Sequence, residues 1–162
     1  MRLLLWLNLL CVALLTASPA SAALSPAELS QVGATPGLDA RLPVGLSFVD
    51  QAGRTYRLVD ARLPTVLLFA DYSCRHICGP GVTLTAGALH DAGLQPARDY
   101  RMIVIGLDQD GPVLARKLAS DRMKGLDAEA RALTLLTGAP PIVASAEHAL
   151  GYHAVYDAAA DQ

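Results

Sequence analysis

Two cysteines that lie four residues apart, Cys74 and Cys78, are the residues of this sequence best suited to chemistry. Thiols at this spacing meet on one turn of a helix or in a short loop, so the pair could form a disulfide or bind a metal ion. The pair follows an apolar run, residues 66–70, of the length typical of a strand buried on both faces. Function concentrates beyond the carboxyl ends of such strands. We therefore interpret the pair as functional, with an inert local disulfide as the alternative.

The residues around the pair favour thiolates, the form that binds metals and attacks disulfides. Pro80 disfavours helical conformation at Gly79, which predicts that the pair lies on a turn leading into a helix. Cys78 would then lie near a helix N-terminus, whose partial positive charge stabilises a thiolate. Arg75 adds a second positive charge nearby. The sequence therefore predicts a lowered pKa for Cys78.

Among metal ions, Cu(I) suits two thiolates best, because it prefers sulfur and accepts few ligands. A structural zinc site needs four ligands, which two cysteines do not supply. His76 could add a third ligand from a loop, although on a helix it would lie about 200° around the axis from Cys74. His90 would lie about 18 Å along the predicted helix, which is too far. The sequence leaves the positions of His148 and His153 open, and for each histidine taken singly a structural or exposed role is preferred.

Composition and length bound the class of protein. The chain has 162 residues, of which 52% are hydrophobic and 17% are charged, and its net charge is -2. This length is typical of one domain. Nucleic-acid binding is excluded as a function, because it needs clustered lysine and arginine and the sequence has no basic run.

The N-terminal segment, residues 1–22, predicts a secretory signal peptide that is removed after Ala22. It has a positive start, a thirteen-residue apolar run and a small-residue cleavage site. Cys11 lies inside the apolar run and is interpreted as a residue of the discarded segment. Export implies the periplasm as the location. An uncleaved membrane anchor is the alternative, although the run is shorter than the roughly 20 residues of a membrane span, and membrane association is expected only in that case.

The rest of the chain predicts a partly parallel α/β sheet, because apolar strands alternate with helices. Residues 23–45, which contain several prolines and glycines, predict a flexible lead-in, and the domain follows over residues 46–162. A β-hairpin is predicted around residues 51–53. The other predicted elements are strands at 66–70 and 102–105, helices at 79–92, 112–119, 127–132 and 141–150, a strand beginning at 152–156, and residues 133–136 as a strand or only the end of one.

From about Leu46 to Gln162, the chain resembles the SCO1/SenC family of copper chaperones, which are thioredoxin-like proteins that assist assembly of cytochrome c oxidase. The Cys-x3-Cys spacing is the most specific element of the resemblance, since thioredoxin reductants more usually have Cys-x2-Cys. The matching segments are residues 48–53, 67–74, 78–80, 106–108, 136–138 and 150–157.

The resemblance implies a thioredoxin-like three-layer α/β/α sandwich with an N-terminal β-hairpin. It implies that Cys74 and Cys78 are the copper ligands and the redox-active pair, with copper bound as Cu(I) or Cu(II). The implied partners are the copper-site subunit of cytochrome c oxidase and a periplasmic thiol reductant. A periplasmic thiol–disulfide oxidoreductase that acts on cysteines of a partner protein is the alternative function.

The family's third copper ligand is a histidine shortly after a Tyr-Asp pair like Tyr156 and Asp157. The sequence stops at Gln162, before that point, and none of its four histidines aligns with the ligand. The family's last β-hairpin and terminal helix would also be missing. On this resemblance the sequence is interpreted as a fragment of the family's domain, with a damaged variant or a domain completed by a partner as the alternatives.

Overall fold

The structure is a computed structural model, and it describes residues 24–58, 62–74, 78–107 and 126–157. The predicted signal peptide, His76 and the helix predicted at 112–119 lie outside these residues. The described strands, in chain order, are β1 (Gly33–Ala34), β2 (Ser47–Asp50), β3 (Thr55–Arg57), β4 (Thr65–Ala70), β5 (Arg101–Gly106), β6 (Leu133–Thr137) and β7 (Tyr152–His153). The described helices are α1 (Pro26–Leu29), α2 (Cys78–Asp91), α3 (Asp127–Ala132) and α4 (Pro140–Ala149).

Five of the strands form one mixed sheet in the order β3-β2-β6-β5-β4. The three strands β4, β5 and β6 are parallel, and the hairpin of β2 and β3 joins them through an antiparallel β2–β6 pair. The prediction of a partly parallel sheet with an N-terminal hairpin is confirmed. Residues 133–136, which the sequence left open, belong to the strand β6.

The two apolar runs have different positions in the sheet. β5 lies inside the sheet, between β6 and β4, and its last five residues are buried, as expected for a strand covered on both faces. β4 pairs with β5 alone among the described strands, and its residues 66–69 are only half-buried. The expectation that residues 66–70 are buried on both faces is therefore wrong for all but Ala70, because apolar composition does not distinguish an edge strand from a central one.

Two hydrophobic cores cover the two faces of the sheet, because alternate residues of a strand point to opposite faces. Met102 and Val104 of β5 pack with Val82 and Ala86 of α2. Their neighbours Ile103 and Ile105 pack on the other side with Val143 and Ala146 of α4. The predicted three-layer α/β/α arrangement is thus confirmed.

The segment interpreted as a flexible lead-in is partly structured. α1 begins after Ser25, whose side chain and that of Glu28 form a capping box. β1 pairs antiparallel with β7, and the Thr35 N–H donates to the Gly151 carbonyl at 2.7 Å. The strand expected from residue 152 is accordingly a two-residue strand outside the five-stranded sheet. Its partner is far away in sequence, which is why local composition did not predict the pairing.

None of the helices in the described residues is long and apolar enough to span a membrane.

Candidate thiol site

The loop that carries the cysteines starts at the end of β4, where the backbone is held firmly. Ala70 is buried, and its carbonyl accepts a hydrogen bond from the Leu107 N–H at 3.0 Å, just beyond β5. This bond extends the β4–β5 ladder to the last residue before the loop. The chain therefore enters the site from a fixed point at the carboxyl ends of two parallel strands. The predicted position after a strand is confirmed, but the strand is an edge strand among the described ones and not the central strand that the prediction assumed.

Asp71 organises the first turn of the loop. Its carboxylate atom Oδ1 accepts hydrogen bonds from the Ser73 N–H at 2.7 Å, the Ser73 hydroxyl at 2.6 Å and the Cys74 N–H at 3.1 Å. The Cys74 N–H also donates to the main-chain carbonyl of Asp71, at 3.3 Å. An aspartate that accepts from the backbone two and three residues later fixes a tight turn. The turn sets the position of Cys74.

Tyr72 anchors the same loop to the centre of the sheet. Its ring is buried, and its hydroxyl lies 3.0 Å from the Val104 carbonyl and 2.9 Å from the Leu136 carbonyl. The two carbonyls belong to β5 and β6, so one side chain links the loop to both strands. A buried hydroxyl needs such partners, since an unpaired one would destabilise the fold.

The structure brings the thiols of Cys74 and Cys78 together, with no disulfide between them. Cys74 is 2% exposed, and Cys78 is half-buried at the first residue of α2. The two side chains are hydrogen-bonded to each other. Their positions on a loop and at a helix start agree with the prediction that the pair leads into a helix.

The predicted lowering of the Cys78 pKa is wrong. Burial raises the pKa of the Cys78 thiol to about 11, and the hydrogen bond with Cys74 contributes in the same direction, while a hydrogen bond with the Asp71 backbone partly opposes them. The sequence argument counted the helix N-terminus but had no measure of burial, which favours the neutral form of a thiol. Arg75, the other expected source of positive charge, lies outside the described residues.

Tyr152 is a neighbour of the site that the sequence did not reveal. Its ring stacks on Phe69 of β4 with ring centroids 4.5 Å apart. Burial raises its pKa from the ordinary value, and the nearby charges of Cys78 and Glu147 raise it further. Tyr152 of β7 therefore packs on β4 and lies within electrostatic reach of Cys78.

No described histidine completes a metal site with the cysteines. The described residues contain no cluster of three or more His, Cys, Asp or Glu side chains able to hold a metal ion. His90, in the last turn of α2, pairs instead with the buried Glu129, at 2.9 Å between Nδ1 and Oε1. His148 and His153 are exposed and line a pocket of about 240 Å³ together with Tyr152. His90 is thus a paired residue, and His148 and His153 are exposed ones.

Three residues of the site were missed as functional residues, namely Asp71, Tyr72 and Tyr152. A sequence signal existed for Asp71, because aspartate two residues before serine at a strand end is typical of a side-chain-capped turn. The aromatic residues gave no such signal. Their roles depend on contacts with strands and segments that are distant in sequence.

Comparisons with known proteins agree on the fold. No family model and no curated protein matches the chain. Solved structures do match it. One is a protein from Aquifex aeolicus VF5 described as a candidate electron transfer protein, which has 16% identity and a TM-score of 0.59 over 74% of this chain and 75% of the other.

Two further matches are Sco proteins. BsSco, a member of the Sco family of cytochrome c oxidase assembly proteins, has 19% identity and a TM-score of 0.54 over 73% of this chain and 67% of its own. Yeast Sco1 with copper bound has 18% identity and a TM-score of 0.51 over 73% of this chain and 68% of its own. The chain thus has the thioredoxin-like fold of the Sco structures, as its resemblance to the SCO1/SenC family implied.

Proposed function

We propose that this protein is an exported copper-binding chaperone that delivers Cu(I) to the copper site of cytochrome c oxidase during its assembly. The single observation that carries the proposal is the contact between two thiols, Cys74 and Cys78, beyond the carboxyl end of β4. The fold supports it, since yeast Sco1 has been solved with copper bound and BsSco belongs to a family of oxidase assembly proteins.

The chemistry of the donor set suits copper as a cargo. Cu(I) favours sulfur ligands and tolerates low coordination, so two adjacent cysteines bind it without a full tetrahedral set. Binding would replace the thiol protons by the metal ion and release them to solvent. A site with two protein ligands leaves room for a ligand from the acceptor, so Cu(I) can pass between proteins by ligand exchange without a change in its oxidation state.

Titration of Cu(I) against a competing chelator tests the binding step. We expect one Cu(I) per chain, and we expect Cys74→Ser and Cys78→Ser each to weaken binding at least roughly a hundredfold, because hydroxyl oxygen is a poor ligand for a soft ion. Cys11→Ser, made in the full-length precursor that retains residues 1–22, is the matched control and should leave the affinity unchanged. Binding that survives both substitutions at the site would overturn the proposal.

Delivery is tested separately from binding. Cu(I)-loaded protein is mixed with the soluble, copper-free domain of the oxidase subunit that holds the copper site, and the two are separated and assayed for copper. We expect copper in the acceptor fraction and none after the same treatment of Cys78→Ser protein. Retention of all copper by the loaded protein would contradict the delivery role while leaving the binding role intact.

The contact between the thiols also favours a second function, a thiol–disulfide oxidoreductase. In that reaction the two Cys thiols reduce a disulfide of a partner protein to two thiols and become a Cys74–Cys78 disulfide, so two electrons and two protons are transferred. We expect this disulfide to equilibrate with a dithiol buffer at a potential in the range of catalytic disulfides. A disulfide that a strong dithiol fails to reduce under native conditions would exclude this function.

Export to the periplasm belongs to the same proposal. The mature protein isolated from its host should begin at residue 23, after the predicted cleavage at Ala22. N-terminal sequencing of the native protein decides this point. A chain that retains residues 1–22 and partitions with membranes would support the anchor alternative instead.

A further inference from the structure

We propose that Asp71 is the positioning residue of the thiol site, and that its carboxylate holds Cys74 at the geometry in which it meets Cys78. This inference deepens the proposed function, because it concerns the same two thiols. It rests on the three hydrogen bonds that Oδ1 accepts from Ser73 and Cys74.

The position of Asp71 between two fixed points gives its carboxylate this role. On one side, the preceding Ala70 is buried and hydrogen-bonded into the sheet. On the other side, Cys74 is 2% exposed and has its N–H directed at Asp71. The Asp71 backbone in addition hydrogen-bonds with Cys78. One residue therefore contacts both cysteines, through its side chain and main chain respectively.

The geometric role is separable from the role of the charge. Asparagine retains an Oδ1 acceptor at the same distance along the side chain but carries no charge. Glutamate retains the charge but adds one methylene group, which moves the acceptor out of the tight two-residue turn. Asp71→Asn and Asp71→Glu therefore change one property each.

The readout is the equilibrium constant for closing the Cys74–Cys78 disulfide with oxidised glutathione, which yields the disulfide and two molecules of reduced glutathione. It is measured in the full chain carrying Cys11→Ser, so that only the pair reacts. Closure becomes less favourable when Cys74 is no longer held in position. The loss of hydrogen bonds to a charged group corresponds to a decrease of roughly tenfold in the closure constant. We expect this loss in Asp71→Glu, and we expect Asp71→Asn to stay within about threefold of the parent chain.

A matched control exists in the hairpin turn, where Asp50 caps the backbone in the same way. Asp50→Glu should lower the folding stability and leave the closure constant unchanged, because β6 and β5 separate β2 from β4. Three results would overturn the inference. The closure constant could be unchanged in Asp71→Glu, it could fall as much in Asp71→Asn as in Asp71→Glu, or it could fall as much in Asp50→Glu as in Asp71→Glu.

A second measurement needs no variant and keeps the inference testable if Asp71→Glu fails to fold. The Ser73 and Cys74 amides of the parent chain should exchange hydrogen more slowly than in an unstructured peptide, because both are donors to Asp71. Exchange at peptide rates would overturn the inference. Neither readout involves copper, so a parent chain that fails to bind Cu(I) would remove the proposed function without affecting this result.

Discussion

The turn after β2 and the loop after β4 share one construction, although only the loop carries cysteines. In the turn, Asp50 Oδ1 accepts hydrogen bonds from the Ala52 N–H at 2.8 Å and the Arg54 N–H at 2.9 Å. The next residue, Gln51, hydrogen-bonds through its amide to the main chain of β6, to the Leu133 carbonyl and the Leu135 N–H. An aspartate thus shapes the turn, and its neighbour attaches the turn to the sheet.

The loop after β4 repeats this arrangement. Asp71 accepts from Ser73 and Cys74, and its neighbour Tyr72 reaches the main chain of β5 and β6. The difference lies in the last partner of each carboxylate. Arg54 neutralises Asp50 through Nε at 2.8 Å, whereas the bonds of Asp71 end at the backbone of a cysteine.

This difference separates a structural turn from a candidate functional one. In the hairpin the carboxylate, the glycine and the arginine occupy five consecutive residues, and together they determine only the path of the chain; Gly53 supplies the positive φ of 81°. In the loop the same bonds fix the position of a reactive atom. Phe69, at the end of β4, stacks on Tyr152, which comes from a distant part of the sequence.

The largest effect is expected from Asp50→Ala, which breaks the structural turn. The substitution removes three hydrogen bonds to a buried carboxylate and leaves two N–H groups without their acceptor. We expect a loss of about 3 kcal/mol in the free energy of unfolding, measured by urea denaturation, with Cu(I) stoichiometry unchanged in the folded protein.

Arg54→Ala is the control for this prediction. The Arg54 side chain is 79% exposed, so its ion pair with Asp50 should contribute less than about 1 kcal/mol. Equal losses in the two variants would mean that the ion pair, and not the capped backbone, stabilises the turn.

The next effect tests the pairing of β1 with β7, the strand whose Tyr152 packs on Phe69 just before the thiol loop. Gly151 has a φ of 61°, and a Cβ added there would overlap the Thr35 carbonyl. Gly151→Ala should therefore separate β1 from β7 and cost about 2 kcal/mol. Faster cleavage of residues 24–36 in limited proteolysis, together with urea denaturation, measures the separation.

Gly87→Ala provides a matched glycine substitution. Gly87 lies in α2 and has nothing within 4 Å of an added Cβ, so alanine should stabilise the helix by about 0.5–1 kcal/mol. If Gly151→Ala is as harmless as this control, the β1–β7 pair does not depend on the close approach of Gly151 and Thr35.

The same contrast explains how far the sequence predicted this molecule. The hairpin, the β5 run and the start of α2 were predictable, because their signals lie in neighbouring residues: the Gly53 turn, four consecutive apolar residues and Pro80. The position of Cys74 and Cys78 after a strand was predictable for the same reason. The contact of Tyr152 with β4 was not, since it depends on the pairing of residues 33–34 with residues 152–153.

Burial was the second property that the sequence did not provide. The helix N-terminus predicted a lowered pKa for Cys78, but packing around the thiol raises it to about 11. Likewise residues 66–70 were expected to be a fully buried strand, and they form a mostly half-buried one that pairs with β5 alone among the described strands. Both errors have one cause, because the environment of a residue is set by elements that pack on it from elsewhere in the chain.

A smaller effect is expected where Tyr72 attaches the thiol loop to the sheet. Tyr72→Phe removes a buried hydroxyl that binds the Val104 and Leu136 carbonyls, and we expect a loss of about 1 kcal/mol in unfolding free energy. Tyr100→Phe is the control, because the Tyr100 hydroxyl is buried with no hydrogen-bond partner among the described residues. Its removal should be neutral or stabilising, so a greater loss in Tyr100→Phe than in Tyr72→Phe would contradict the anchoring role.

The smallest effect is a difference in acid sensitivity that originates in the structural turn. The pKa of Asp50 is lowered from its ordinary value. The hydrogen bond from the Arg54 backbone N–H is the largest cause, and burial of the carboxylate acts in the opposite direction. A lowered carboxylate pKa stabilises the fold above the pKa of the unfolded chain, and this stabilisation is lost as the pH falls through the folded value. The free energy of unfolding of the parent chain should therefore fall more steeply below about pH 4 than that of Asp50→Asn.

Urea denaturation at pH 6 and pH 3 measures this difference in slope. Asp50→Asn retains the Oδ1 acceptor for the Ala52 and Arg54 amides but has no proton to gain, so it isolates the charge from the turn geometry. If both proteins lose the same amount of unfolding free energy between these pH values, the charge of Asp50 does not contribute to the stability of the fold. The turn and the thiol loop would then depend on the same hydrogen-bond geometry alone, and the arginine would no longer distinguish them.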